Sequence, residues 1–411
     1  MALPTRHLSR PDPLLALIEK VKSDPRPDKC DLGLGVYCTG TGATPVFQSV
    51  KAAEQRLLAE QSSKSYLGLF GNRDYLDALT SSVLGPMSDK RETVSFQTPG
   101  GSSALSLTSM LVAETLPQST IWLSRPGWPN YERLLQRSGL RIRYYRYLPD
   151  PEGQLDIAGV VTDLREAREG DVVVLQASGH NPTGRDPPAS EWAESATCLK
   201  ATNAMPLIDI AYQGLAKDPE TDMIGVRKIC AEISDVVLTV TQSKNFGLYR
   251  ERTGALIFAS EHMSTRASVR GLIGDFLTSL PAMPPDHGAA VVAAILADAT
   301  LRTDWTAELT EMRGRLSSLR TRMAATLPEH AAELSAGRGL FTLLPLSTEQ
   351  IAALQKDHAI YLAPDGRLNL SGIQDLQFHR VSRALDRGLP GARREPLAHG
   401  PCRVARAAAA R

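Results

Sequence analysis

Four clusters of polar and glycine residues stand at the ends of apolar runs, and each has a chemistry open to it. Gly100-Gly101-Ser102-Ser103 opens into the helix-like ALSLTSMLV. A glycine turn at a helix start leaves backbone N–H groups free under the positive end of the dipole, which suits an anion. Alone this is a weak pointer, because serine caps are common. His180-Asn181-Pro182-Thr183-Gly184 follows VVVLQASG. Asn-Pro is a turn former, and Asn181 at a strand end is also placed to hydrogen-bond a ligand hydroxyl. Asp209 and Tyr212 end MPLIDIAYQG, where a carboxylate is costly unless a cation answers it or it caps a helix. Lys244 follows VVLTVTQS, with Thr241 and Ser243 before it and Arg252 beyond. Two hydroxyls and an arginine can hold a phosphate. A lysine whose pKa is depressed by those cations can form a Schiff base, whereas a lone lysine is ordinarily a solvated surface group.

These clusters need a scaffold that brings strand ends together. Short apolar runs recur as IWLSRPGW from 121, VVVLQASGHNPTG from 172, MPLIDIAYQG from 205, VVLTVTQSKN from 236 and ALIFAS from 255, with helix-length segments at 187–203 and 222–233. Continuous apolar strands alternating with helices predict an α/β fold with a mostly parallel sheet covered on both faces. Ligands in such sheets gather at the carboxyl ends of the strands, where the polar clusters sit. Helices are also predicted over 12–23 and 48–60. In 301–323, Leu301, Trp305, Leu309, Met312, Leu316, Leu319 and Met323 form one apolar seam. GLFTLLPL, a helix from 348 and AIYLAPDGRLNLSGI read as a smaller α+β unit. The expected organisation is a segment 1–47 packing with a small domain 301–387, a large domain 48–300, and a disordered Arg-rich tail 388–411.

Composition narrows the function classes. The 411 residues carry 46 Lys plus Arg against 45 Asp plus Glu, so bulk charge points to neither a nucleic acid nor a membrane surface. At 42% hydrophobic and 22% charged, the bulk of the chain is neither disordered nor fibrous. The five cysteines form no CxxC pair and the histidines no HxxxH, so no metal cage or disulfide framework is expected. No run reaches the roughly 18 apolar residues of a spanning helix. A cytoplasmic protein is the reading.

Gly101-Ser102, PGWPN, HNPTG, DIAYQG and SKNFGLYRERTGA, in this order, resemble the aspartate and aromatic amino acid aminotransferases, class I enzymes of fold-type I that use pyridoxal 5'-phosphate. The resemblance runs from about Asp12 to Ile373 and includes KSYLGLFGN and GRLNLSG. It implies that Lys244 binds the cofactor aldehyde and moves the substrate α-proton, and that Asp209 pairs with the pyridine nitrogen. Asn181 and Tyr212 would hydrogen-bond the phenolic oxygen, and Trp128 would stack on the ring. Gly101, Ser102, Thr241, Ser243 and Arg252 would hold the phosphate. Arg367 would bind the substrate carboxylate, with Gly35 allowing close approach and Asn181 and Trp128 beside the substrate. Tyr66 would reach the phosphate of a neighbouring subunit, so the resemblance also implies a homodimer with a shared active site.

Departures cluster on the substrate side. In the aspartate-type enzymes an arginine six residues before Pro-Pro-x-His-Gly binds a distal carboxylate across the dimer. Here Pro284-Pro285-Asp286-His287-Gly288 is preceded at that distance by Thr278, and 271–283 holds no basic residue. Ala282-Met283 replaces the usual Ser-Asn, and Ser102-Ser103 the usual Thr-Gly. Tyr131 and Gln176 stand where two histidines support the pyridine-binding aspartate. The expectation is transamination of a non-acidic amino acid; the alternative is repurposed carbanion chemistry such as elimination, replacement or carbon–carbon bond formation, with S-adenosylmethionine as a candidate substrate. A pseudoenzyme that only binds the cofactor is disfavoured by Lys244, Asp209 and Arg367 occurring together.

Overall fold

The computed structural model describes residues 13–148, 155–280 and 282–388. The expected tail therefore lies, apart from Gly388, outside the described residues. The described chain enters through a helix, Pro13–Ser23, and a two-residue strand β1 (Cys30–Asp31). Its centre is a seven-stranded sheet of β2 (Thr93–Pro99), β3 (Thr120–Arg125), β4 (Arg141–Arg146), β5 (Val172–Gln176), β6 (Met205–Ile210), β7 (Val236–Thr241) and β8 (Thr253–Ala259). The spatial order is β2-β8-β7-β6-β5-β3-β4. Only β8 runs against its neighbours; the remaining pairings are parallel.

That reversal matters for the site. The amino end of β8 lies at the same edge as the carboxyl ends of β2, β5, β6 and β7. Pro99 stands opposite Thr253, Thr241 opposite Gly254, and Gln176 opposite Asp209. The four clusters, remote from one another in sequence, thus share one edge.

Both faces of the sheet are covered. Val173, Leu175, Ile208, Ile210, Leu238 and Val240 face one core, while Val172, Val174, Leu207 and Val237 face the other. Each such side chain contributes about 1.5–3 kcal/mol relative to exposure, which explains why these strands read as unbroken apolar runs. The two outermost strands escape that reading. TVSFQTP of β2 is buried only over 96–98 and RIRYYR of β4 only at Tyr145, so their sequences mix charge and polarity into the run.

Beyond the sheet, the helix Ala299–Thr326 buries the expected seam from Trp305 to Met323, with Leu301 partly buried, and adds Arg320 and Ala324 to the buried set. β9 (Phe341–Leu343) and β11 (Arg367–Asn369) pair antiparallel, with Arg367 opposite Leu343. β10 (Ile360–Tyr361) pairs parallel with β1, and Asn369 Nδ2 donates to the carbonyls of Leu34 and Val36. Residues 30–37 are therefore fastened to the C-terminal α+β part. Ser347 and Gln350 form a reciprocal cap on the helix Thr348–His358, as its SxxQ spacing allows.

Candidate active site

One pocket of about 220 Å³ opens at the shared sheet edge. Gly101, Ser102, Trp128, Asn181, Asp209, Tyr212, Thr241, Ser243, Lys244 and Arg252 all line it. Leu105, Tyr131, Gln176, Ala211 and Tyr249 complete the wall.

Asp209 is supplied by the penultimate position of β6. Its Oδ2 accepts from Tyr131 Oη at 2.7 Å and its Oδ1 from Thr239 Oγ1 at 3.0 Å. Burial pushes this carboxyl up, and the two hydroxyls and Lys244 pull it back. Both hydrogen-bonding partners are neutral, so a buried carboxylate faces the pocket without a cation on it. That is the arrangement a protonated ring nitrogen completes. A helix-cap role does not apply, since no helix begins at Asp209.

Lys244 follows β7, with its Nζ 5.1 Å from the centre of the Tyr212 ring. Its ammonium is lowered from the ordinary 10.5 to about 8; burial is the largest cause, Asp209 opposes it and Arg252 adds a smaller push. The sequence reading assigned this depression to the neighbouring cations, and desolvation outweighs them. Tyr212 is likewise pushed up by burial, against the field of Arg367.

The anion cradle is built by the β2–β8 pairing. Gly101 and Ser102 begin the helix Gly101–Thr115. Thr241 and Ser243 hydroxyls lie 3.1 Å apart, and Arg252 Nη1 reaches Ser243 Oγ at 3.5 Å. Gly100 has φ +78°, and a Cβ there would lie 2.5 Å from Arg252 Nη2. Free N–H groups, hydroxyls and a guanidinium fit a phosphate. Ser103 adds nothing, because its hydroxyl bonds back to the Pro99 carbonyl at 3.1 Å.

Asn181 joins this pocket to the C-terminal part. Its Nδ2 points to Tyr212 Oη at 3.4 Å, and its Oδ1 accepts from Arg367 Nη1 at 3.0 Å. Arg367 is buried, also donates from Nη2 to the Gly33 carbonyl at 3.1 Å, and leaves Nε without a partner. No carboxylate answers it among the described residues' ion pairs. Phe341 lies against it, 4.8 Å from ring centre to guanidinium, and a Cβ on Gly35 would come within 3.3 Å of that ring. Arg367 and Gly35 thus lie behind Asn181 and Phe341 rather than in the pocket wall. Tyr66 is 90% exposed and does not line the pocket of its own chain.

Two substituted positions behave differently. Tyr131 does support Asp209, as above. Gln176 does not: it donates to the Asn181 carbonyl and accepts from the Asn181 N–H, both at 3.0 Å. Thr239 and Tyr249 escaped the sequence reading. Thr239 is an inward hydroxyl in an apolar strand, and Tyr249 lies on the loop between Lys244 and Arg252, accepting from Tyr37 N–H at 2.8 Å. Their signal was position on that same strand and loop.

The family model for aminotransferases of class I and II matches residues 27–385. The chain belongs to that family. An aromatic-amino-acid aminotransferase of Pseudomonas aeruginosa is 39% identical over 382 residues, covering 91% of this chain and 96% of the relative. The aspartate aminotransferase of Escherichia coli is 36% identical over 371 residues, covering 88% and 93%. The crystal structure of an aromatic-amino-acid aminotransferase from Burkholderia pseudomallei, covalently bound to pyridoxal phosphate, superposes with a TM-score of 0.90 at 30% identity, covering 95% of this chain and 100% of that one. This aminotransferase therefore has the fold-type I architecture, and its cofactor is pyridoxal phosphate. The alternative of elimination, replacement or carbon–carbon chemistry draws no support from these relatives.

Proposed function

We propose that this aminotransferase takes its amino group from a non-acidic amino acid, an aromatic one above all, in preference to aspartate or glutamate. The observation that carries this reading is at Thr278. Its hydroxyl bonds within its own helix to the Gly274 carbonyl at 2.9 Å, and the nearest basic side chain upstream, Arg270, lies over the Phe70 ring at 4.2 Å. Asp286, past the C-terminal end of that helix, accepts from Asn72 Nδ2 at 2.8 Å. A second substrate carboxylate brought here would lack the arginine that answers it in aspartate-type enzymes, and an unpaired buried charge is costly. The aromatic relative supports the reading.

Pyridoxal phosphate, when bound, supplies an aldehyde for the amino group and a ring that takes up the electron pair of the Cα–H bond. The residues do the rest. Lys244 Nζ, its pKa lowered to about 8, takes the α-proton. The Asp209 carboxylate keeps a proton on the ring nitrogen. Asn181 and Tyr212 hold the phenolic oxygen, Trp128 covers the ring, and Gly101, Ser102, Thr241, Ser243 and Arg252 hold the phosphate. Arg367, with Gly35 leaving room, binds the substrate carboxylate. The segment 1–47 and the unit 301–387 carry that substrate side, against a large unit 48–300. Tyr66 acts in a partner copy, which makes the enzyme a homodimer. The four cysteines among the described residues are free, in keeping with a cytoplasmic setting.

The test is a half-reaction screen read by the absorbance of the bound cofactor. Phenylalanine and tyrosine should exceed aspartate by about a hundredfold in kcat/KM, the scale of one lost charge-assisted pair. Aspartate turning over as fast as phenylalanine would overturn the reading.

A further inference from the structure

The inner seam of the helix Ala299–Thr326 is apolar except at Arg320, whose side chain is buried. Its Nη2 donates to the carbonyls of Arg338 at 2.9 Å, Gly339 at 3.1 Å and Phe341 at 2.5 Å, while Nε and Nη1 have no partner. The guanidinium is lowered to about 9, by burial above all, with Arg338 and Arg185 adding to the effect and Asp186 opposing it. A buried cation without a carboxylate on it is a poor way to fill a seam, since a neutral side chain of similar length packs without the desolvation cost. Packing alone therefore gives no reason for an arginine.

What Arg320 touches is a joint between loop 179–184 and the segment 338–341. Arg338 N–H donates to the Gly184 carbonyl at 2.6 Å. A Cβ on Gly339 would lie 3.2 Å from Gly179 Cα, so the two backbones meet directly. A Cβ on Gly184 would lie 2.3 Å from the Phe341 carbonyl oxygen and 2.9 Å from Arg320 Nη2. Each side of the joint leads to the substrate end of the pocket. The loop carries Asn181. The segment carries Phe341, which meets Tyr212 edge-on at 5.8 Å and lies against Arg367. β9, which begins at Phe341, is also the strand that pairs with Arg367.

We propose that Arg320 is a positioning residue that fastens segment 338–341 to loop 179–184 and thereby sets the Arg367–Asn181 contact at which substrate is held. It touches neither cofactor nor substrate. The consequence for substrate rests on reading Arg367 as the carboxylate anchor; the fastening does not.

A single nitrogen makes all three carbonyl contacts, so a lysine can remake them, while a methionine keeps an apolar stem and removes the donors. Amide hydrogen exchange of the apoenzyme and holoenzyme, read on peptides covering 179–184 and 338–343 with β7 as internal reference, separates donation from packing. In Arg320→Met both peptides should exchange about tenfold faster with β7 unchanged. KM for phenylalanine should rise about tenfold, with kcat changing less. Arg320→Lys should bring both readouts back to within about threefold of wild type. Unchanged exchange in Arg320→Met, equal loss of protection in β7, or a lysine variant as impaired as methionine would overturn the fastening. Faster exchange with an unchanged KM would overturn its link to substrate. If Arg367→Ala keeps the wild-type KM, the anchor reading fails while the exchange result still judges the joint.

Discussion

Lys244 and Asp209 are coupled through charge, and burial acts on both. Burial weakens the lysine's hold on its proton while the aspartate strengthens it, leaving the amine at about 8 against an ordinary 10.5. In the apoenzyme, labelling of Lys244 by an amine-directed reagent should follow a titration centred near 8. Asp209→Asn should move that midpoint lower, because the substitution removes the one neighbour that favours the ammonium. A midpoint near 10.5 in the wild type would refute the assignment. The same shift affects stability. Between about 8 and 10.5 the unfolded chain holds a proton on this lysine that the folded chain has given up, so this group's contribution to stability rises with pH across that window. Asp209→Asn should also cut kcat/KM by about a hundredfold or more, since an amide cannot balance a cationic ring nitrogen.

The anion cradle depends on how two strands meet rather than on any one side chain. β2 ends at Pro99, β8 begins at Thr253, and their antiparallel register sets Gly100 beneath Arg252. A methyl group at Gly100 meets both a guanidinium 2.5 Å away and a φ of +78° that side chains rarely adopt. Gly100→Ala should weaken pyridoxal phosphate binding by about tenfold to a hundredfold, with Arg252 displaced. Equilibrium dialysis of the apoenzyme against the cofactor measures this, and pyridoxal without phosphate is the control. Loss of affinity for both in equal measure would place the damage elsewhere than the cradle.

Assembly of two chains bears on the residues that the single chain leaves outside its pocket. Residues 61–67 lie exposed along an irregular stretch, with Tyr66 at 90%, Leu67 at 50% and, nearby in sequence, Leu58 at 87% exposed. These exposed apolar side chains are what a second copy would cover in the proposed dimer. Sedimentation equilibrium should give a dimer at micromolar concentration. Tyr66→Phe should retain the dimer yet bind cofactor about tenfold more weakly, the worth of one hydrogen bond to a charged oxygen. A fully active monomer would count against the shared site.

Sequence alone determined a good deal here, for a physical reason. Strands buried on both faces must be apolar throughout, so β3, β5, β6, β7 and β8 stood out as runs, and the polar residues ending them stood out by contrast. The seam from Leu301 to Met323 was legible because one face of a long helix is buried and its period is unmistakable. Edge strands β2 and β4 were not legible, since solvent on one side permits arginine, serine and threonine in the run. Nor could spacing say that β8 is reversed, although that reversal alone brings Arg252 to Gly100. Tertiary structure likewise decided which neighbour each polar group serves. Tyr131 and Gln176 looked alike as replacements around Asp209, yet only Tyr131 reaches the carboxylate, because the register that places Gln176 beside Asp209 turns its amide toward the Asn181 backbone. Arg320 was hidden for the same reason: a single arginine in an apolar seam has no signature in sequence, and its three carbonyl partners come from a segment that only folding brings near.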